Sequence, residues 1–232
     1  MGQIDKITIP NIPPLEREMI AFRIANMLEE GTYVNLGIGI PTLVSNWIEG
    51  RDIITQAEIG MLKCGPQAEG DSIEQDRIDA SCHYVCHMPG CSYFDIETSF
   101  AMIRSGRMDV AVLGALQVSG RGDLAGWNNP SRGLGKVGNI GGSMDLAVRA
   151  KKLIVAMEHF TNDHQPKIVP ECTYPLTAEK CVDVIVTNYA VIEVTENGLV
   201  LKEALSGLTP RDVQNMTVAP LIVADDFHEM EL

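Results

Sequence analysis

No stretch of the 232-residue sequence is apolar for long enough to span a bilayer. The first residues, Met-Gly-Gln-Ile-Asp-Lys, lack the apolar run of a secretory signal, and no Ser or Thr follows Gly2 at myristoylation spacing. Positive charge is scarce: 18 Lys and Arg against 31 Asp and Glu give a formal net charge of −13, with no basic block to offset it. Such a surface repels nucleic acid and anionic membrane, so neither is expected as a partner. Any polyanionic ligand then has to be met by local donors or by a second chain. Internal repeats, low-complexity tracts and linkers are absent as well, so residues 1–232 are expected to form a single domain. Six cysteines without an export signal point to reduced thiols in a cytoplasm rather than to disulfides. What is present is ordinary for a globular core: 45% hydrophobic and 21% charged residues.

Residues 1–13 show no period and read as an extended arm. Pro14 then opens a helix whose apolar stripe includes Leu15, Met19, Ile20, Met27 and Leu28 and which Gly31 stops. Residues 33–38 and 52–57 read as buried strands, with a short helix from Pro41 through Trp47 between them. A polar, acidic excursion over 67–78 precedes strand character at 80–87 and a helix at 94–104. The continuously apolar run 109–118 suits a central parallel strand covered on both faces. After the glycine-rich stretch 119–142 come a helix at 143–150 and strands at 153–157 and 182–187. Residues 190–195 and 199–202 flank Glu196-Asn197-Gly198, a hairpin whose Asn-Gly pair suits left-handed turn positions. Thr209-Pro210-Arg211-Asp212 carries the cap, proline and acid of a helix start inside a C-terminal tail at 206–232. Together these predict an α/β fold, an open, largely parallel sheet with helices on both faces and a C-terminal hairpin.

Three motifs invite readings that their context opposes. Gly133-Leu-Gly135-Lys-Val-Gly138 spells the dinucleotide fingerprint, yet loop-like residues flank it where a strand and a helix are required. Cys82, His83, Cys86, His87 and Cys91 suggest a metal. On a strand, however, Cys82 and Cys86 face away from His83 and His87, and no second ligand pair follows, so no metal is expected. Glu196 sits in a turn, where its carboxylate is solvated.

Ligands of open parallel sheets gather beyond the carboxyl ends of the strands. Asn35-Leu-Gly37-Ile-Gly39-Ile-Pro41 follows the first strand, and Ala57-Glu58-Ile59-Gly60 follows the second. The stretch from Gly138 through Gly141 and Gly142 to Asp145 also runs into a helix. Two roles stand for Glu58 on the residues alone: a helix cap or ion-pair partner, or a nucleophile facing a site of backbone donors.

Residues 35–41 resemble the Asn-Leu-Gly-Ile-Gly-x-Pro signature of the family I CoA-transferases, in the B (β) subunit or C-terminal half. Six further blocks, 99–110, 112–118, 122–127, 141–146, 156–159 and 167–177, are similar to that family's and follow its order. The likeness is to the B subunits of 3-oxoacid, 3-oxoadipate and acetoacetate–butyrate CoA-transferases. It implies that Glu58 is catalytic, attacking an acyl-CoA and passing through a glutamyl-CoA thioester. Asn35, Gly37, Gly39, Gly60, Gly141 and Gly142 are then the expected substrate or CoA contacts, with Arg104, Arg132 and Lys136 as candidates for CoA phosphates. Coenzyme A enters as substrate, with no permanently bound cofactor, and a separate A (α) subunit is implied in an α2β2-type hetero-oligomer. The family's Glu-Asn-Gly reads Glu58-Ile59-Gly60 here, an amide exchanged for an aliphatic chain. The same sheet architecture hosts sugar-phosphate isomerases and ligand-sensing domains, so a non-catalytic, ligand-sensing or isomerase-like member of the fold is the alternative. A sugar-phosphate site calls for Lys or Arg at the phosphate loop, where this chain has Gly and Asn.

Overall fold

Neighbouring residues on the central strands point into two different cores, which is what makes this sheet a buried one. The computed structural model describes Ile7, residues 9–130 and residues 140–232, with the exception of the His87 side chain. Its strands are β1 (Tyr33–Leu36), β2 (Ile54–Ala57), β3 (Met61–Gln67), β4 (Val85–Tyr93), β5 (Val110–Leu113), β6 (Gln117–Ser119) and β7 (Leu124–Ala125). They continue with β8 (Lys152–Ala156), β9 (Ile168–Val169), β10 (Val184–Val186), β11 (Ala190–Thr195), β12 (Gly198–Ala204) and β13 (Leu221–Glu229). The helices are α1 (Arg17–Asn26), α2 (Ile40–Leu43), α3 (Ile96–Arg104), α4 (Ser143–Arg149) and α5 (Pro210–Met216). Ten strands form one sheet in the order β13-β12-β11-β10-β8-β5-β1-β2-β3-β4. The run from β10 to β2 is parallel, and antiparallel pairs flank it on both sides.

Ala111, Leu113, Leu153, Val155 and Ile185 enter one core with Ile103 of α3, Leu146 of α4 and Val213 of α5. Val110, Val112, Ile154, Ala156 and Val186 enter the other, with Ile20, Ala21, Ile24 and Ala25 of α1. Helices thus cover both faces, as the continuous apolar strands require. Asp95 caps α3 by accepting the Thr98 N–H at 2.6 Å. Thr209 and Asp212 form the reciprocal box that opens α5. A partly buried ion pair between Arg23 and Glu203 ties α1 to β12.

Four expectations change. The apolar run 109–118 leaves the sheet after β5, because Gly114 ends the strand. β6 pairs instead with β7 and β9 in a separate three-stranded sheet. The strand expected at 80–87 is β4, at 85–93. Asp79 accepts the N–H groups of Ser81 and His83 in a turn that holds Cys82 at φ 62°. Cys82 therefore lies off the strand, and the alternation expected of Cys82 and His83 does not apply to them. The expected tail contains α5 and the edge strand β13, parallel to β12. In the hairpin, Glu196 and Asn197 make the turn and only Gly198 takes a positive φ, because Thr195 Oγ1 accepts the Asn197 N–H and donates to the Gly198 carbonyl. Residues 1–6 and 8 of the arm, the glycine fingerprint at 133–138, Arg132 and Lys136 lie outside the described residues. Ile7 and Ile12 pack against the first core.

Candidate active site

The carboxyl ends of β1, β2 and β5 open at one edge of the sheet, and a tight turn delivers Glu58 there. Gly60 N–H donates to the Ala57 carbonyl at 3.0 Å, reversing the chain from β2 into β3. Gly60 takes φ 122°, and its carbonyl accepts the Phe94 N–H at 3.0 Å. A Cβ there would overlap the Phe94 carbonyl oxygen, so both torsion and space demand glycine. Gly60 shapes the turn that aims Glu58. It is not among the residues lining the cavity onto which that acid opens.

Below the turn, a buried polar chain fixes the strand ends. Asn35 Nδ2 donates to the Gln56 carbonyl at 3.2 Å and to Gln56 Oε1 at 2.6 Å, and Gln56 Nε2 donates to Ser99 Oγ at 2.8 Å. All three residues are buried. Asn35 does border the cavity, as expected of a site residue, but its amide nitrogen is spent on β2. Gln56 and Ser99 were not legible as site residues. Their link depends on the parallel register that sets Asn35 opposite Gln56, which no local pattern reveals.

Above the turn, the loop before α4 approaches the carboxylate. Gly142 N–H donates to Glu58 Oε1 at 3.3 Å. A Cβ on Gly142 would press into Glu58 Oε2 and stand 3.1 Å from its Cδ, so glycine leaves room for the acid. Burial raises the Glu58 pKa above the ordinary carboxylate value. The Gly142 N–H pulls it down and nearby Asp145 pushes it up. Among the described residues Glu58 makes no ion pair. Arg104, expected at CoA phosphates, instead pairs with Asp145 at 2.8 Å and lies over the Phe100 ring.

Glu58 opens onto a cavity of about 330 Å³, bordered by Asn35, Gly37, Gly141 and Gly142 and otherwise largely by aliphatic side chains. Gly37 forms part of its wall, and its N–H is already given to the Val112 carbonyl at 2.8 Å. A Cβ there would stand 3.0 Å from Leu113 Cδ2. It is therefore no anion donor. Gly39 turns away, with φ 95°, and borders a neighbouring cavity with Arg17 and His83. The candidate carboxylate thus has the Gly142 N–H as a backbone donor, a shaped wall and a space for an organic group.

The family model described as Coenzyme A transferase matches residues 17–215. The chain belongs to the coenzyme A transferase family. It is 42% identical over 208 residues to the B subunit of 3-oxoadipate CoA-transferase from Pseudomonas putida, covering 90% of this chain and 97% of that one. It is 44% identical over 207 residues to the β subunit of a probable coenzyme A transferase from Bacillus subtilis, covering 89% and 94%. Its fold matches the acyl-CoA transferase of Escherichia coli O157:H7 with a TM-score of 0.72 at 19% identity, covering 97% of this chain and 45% of that one. This coenzyme A transferase chain is accordingly of the B type, an α/β protein with a mostly parallel sheet.

Proposed function

We propose that this chain moves CoA from an acyl-CoA to a free carboxylic acid through a covalent intermediate on Glu58. The observation that carries the reading is the Glu58 carboxylate at the end of β2, held by the Gly142 N–H and open to the 330 Å³ cavity. A Glu58 oxygen attacks the thioester carbonyl carbon of the donor. The C–S bond breaks, giving a mixed anhydride and the CoA thiolate. The thiolate then attacks the Glu58 carbonyl carbon, forming a glutamyl-CoA thioester and releasing the donor as its carboxylate. The acceptor carboxylate repeats both steps in reverse order and leaves as acyl-CoA, restoring Glu58. Each step trades one acyl bond for another, so no oxidant and no net proton are needed. A carboxylate needs no base to act as nucleophile. The rate comes from positioning, and the Gly142 N–H stands where negative charge develops on oxygen.

A separate A subunit completes the site in this reading, in an α2β2-type assembly. Ile38, Ile59 and Met144 support it: they are 64%, 43% and 48% exposed, and they sit on or beside the loops that carry Gly37, Glu58 and Gly142. Apolar side chains grouped around a reacting group suit a partner surface. The partner also answers the charge problem, since it can bring the positive groups that a chain of −13 lacks around CoA.

The test is to co-express this chain with its A subunit, incubate the complex with acyl-CoA, reduce with borohydride and map peptides. Reduction of a glutamyl thioester is expected to mark residue 58 alone. Turnover with a label elsewhere, or with none, contradicts the assignment. Glu58→Ala is expected to lower kcat about a thousandfold or more, the scale of a lost nucleophile. Glu58→Asp is expected to lower it about a hundredfold through misplacement.

A further inference from the structure

Arg104 and Asp145 join the two helices that frame Glu58. Arg104 lies in the last turn of α3 and Asp145 in the first turn of α4. The guanidinium donates from Nε to Asp145 Oδ1 at 2.8 Å and from Nη2 to Oδ2 at 3.4 Å, a two-pronged contact that sets the direction of the carboxylate. The same guanidinium lies 5.1 Å from the centre of the Phe100 ring. Phe100 closes the group, because its Cζ stands 3.2 Å from where a Cβ on Gly142 would be. Gly142 is the N-cap of α4, and its N–H is given to Glu58. Burial is the main reason that the Glu58 pKa is raised; the Gly142 N–H lowers it, and the charge of Asp145 raises it again. Asn35 on β1, Gln56 on β2 and Ser99 on α3 are neutral. Of the other acids on elements around the site, Asp79 accepts the Ser81 and His83 N–H groups, Asp95 accepts that of Thr98, and Glu97 is exposed. A negative charge left uncancelled beside Glu58 favours its protonated form, which is no nucleophile.

We propose that Arg104 is a positioning residue for the reaction at Glu58, acting through Asp145: it holds that carboxylate at the start of α4 and cancels its charge on the nucleophile. The inference rests on the CoA-transferase reading above and adds a pair of residues to it. It gives Arg104 a role within this chain in place of the CoA phosphate contact that the resemblance implied.

The experiment measures kcat/KM of the complex of this chain with its A subunit across acid and neutral pH, with acetoacetyl-CoA as donor and acetate as acceptor. The value is expected to fall on the acid side as Glu58 takes up a proton. Arg104→Gln is expected to move this limb to higher pH by about half a unit, a loss of about threefold in kcat/KM at a fixed pH on the limb. Asp145→Asn is expected to move it to lower pH. In the Asp145→Asn background, Arg104→Gln is expected to move it no further, since its effect passes through the acid. Coinciding limbs, or an Arg104→Gln shift of equal size with and without Asp145, overturn the inference. A raised KM for acetoacetyl-CoA with an unmoved limb assigns Arg104 to the CoA phosphates and overturns it too. Should Arg104→Gln fail to assemble, Asp145→Asn decides: a limb at lower pH supports the inference, and an unmoved limb overturns it. Single-turnover formation of the thioester on residue 58, read by mass spectrometry, separates the two readings. A thioester there with unmoved limbs overturns this inference alone, and none in the wild-type complex overturns both.

Discussion

At Gly142 the backbone torsions, φ −83° and ψ 3°, are ones that alanine can adopt. The reason for glycine there lies across the cavity, in the Glu58 carboxylate that a Cβ would displace. Gly142→Ala is therefore expected to cut kcat of the assembled enzyme about a hundredfold, the cost of roughly an ångström of misplacement. Its melting temperature is expected to stay within about 2 °C of the parent. A fully active Gly142→Ala complex removes this loop from the site. His159 makes a contrasting case of a perturbed group that does not border the cavity beside Glu58. It is fully buried between Thr187 and Thr217, at 3.1 Å from Nδ1 and 3.0 Å from Nε2. Thr187 Oγ1 accepts the Tyr189 and Ala190 N–H groups and donates to the Ala190 carbonyl at 3.3 Å. Thr217 gives its proton to the Val213 carbonyl and accepts from Nε2–H. Burial, aided by Lys167, pushes its pKa from 6.5 to about 3. The unfolded chain takes up a proton below about 6.5 that the folded chain refuses until about 3. This contribution to stability is complete above pH 6.5 and is lost as pH falls towards 3, by about 1.4 kcal/mol per unit. Urea midpoints of wild type and His159→Gln between pH 7.5 and 5 are expected to show a shallower acid loss in the variant. Parallel curves refute a neutral buried imidazole.

The decisive element is the β2–β3 hairpin. Reading Glu58 as the end of a strand entering a glycine-rich turn was possible from the residues, since the apolar run and Gly60 are local signals. That the chain reverses into an antiparallel strand, rather than crossing through a helix, depends on β4 covering β3 and on the Phe94 N–H meeting the Gly60 carbonyl. Gly60→Ala forces a left-handed torsion on alanine and drives a Cβ into a carbonyl. It is expected to destabilise the fold by about 3 kcal/mol or more, measured by denaturant unfolding of the isolated chain. Unfolding within about 1 kcal/mol of wild type would refute the contact. The run 109–118 shows the limit of pattern reading. Burial is continuous across it, yet two sheets share it, because burial alone does not say which strand supplies the hydrogen bonds.

Over the whole molecule, the sheet edge that carries Glu58 stands beside exposed apolar groups on a strongly acidic chain. If Ile38, Ile59 and Met144 meet the A subunit, Ile59→Asp and Met144→Glu will each raise the dissociation constant of the complex at least tenfold, read by sedimentation or titration calorimetry. The fold of the isolated chain will be unaffected, because both side chains are solvent-facing. Unchanged affinity in both variants places the partner elsewhere. The same picture expects the isolated chain to turn over no acyl-CoA until the A subunit is added.

Sequence by itself determined the alternation of strands and helices, the ordered blocks of a CoA-transferase and the acid at position 58. These rest on local periodicity, on turn-forming residues and on the order of motifs along the chain. Only the tertiary structure decided how each loop is used. It committed the Gly37 N–H to Val112, moved Gly39 to another cavity, spent Arg104 on Asp145 and brought Gly142 to Glu58 across 84 residues. A hydrogen bond belongs to whichever groups packing brings together, and a motif carries no record of its distant partner.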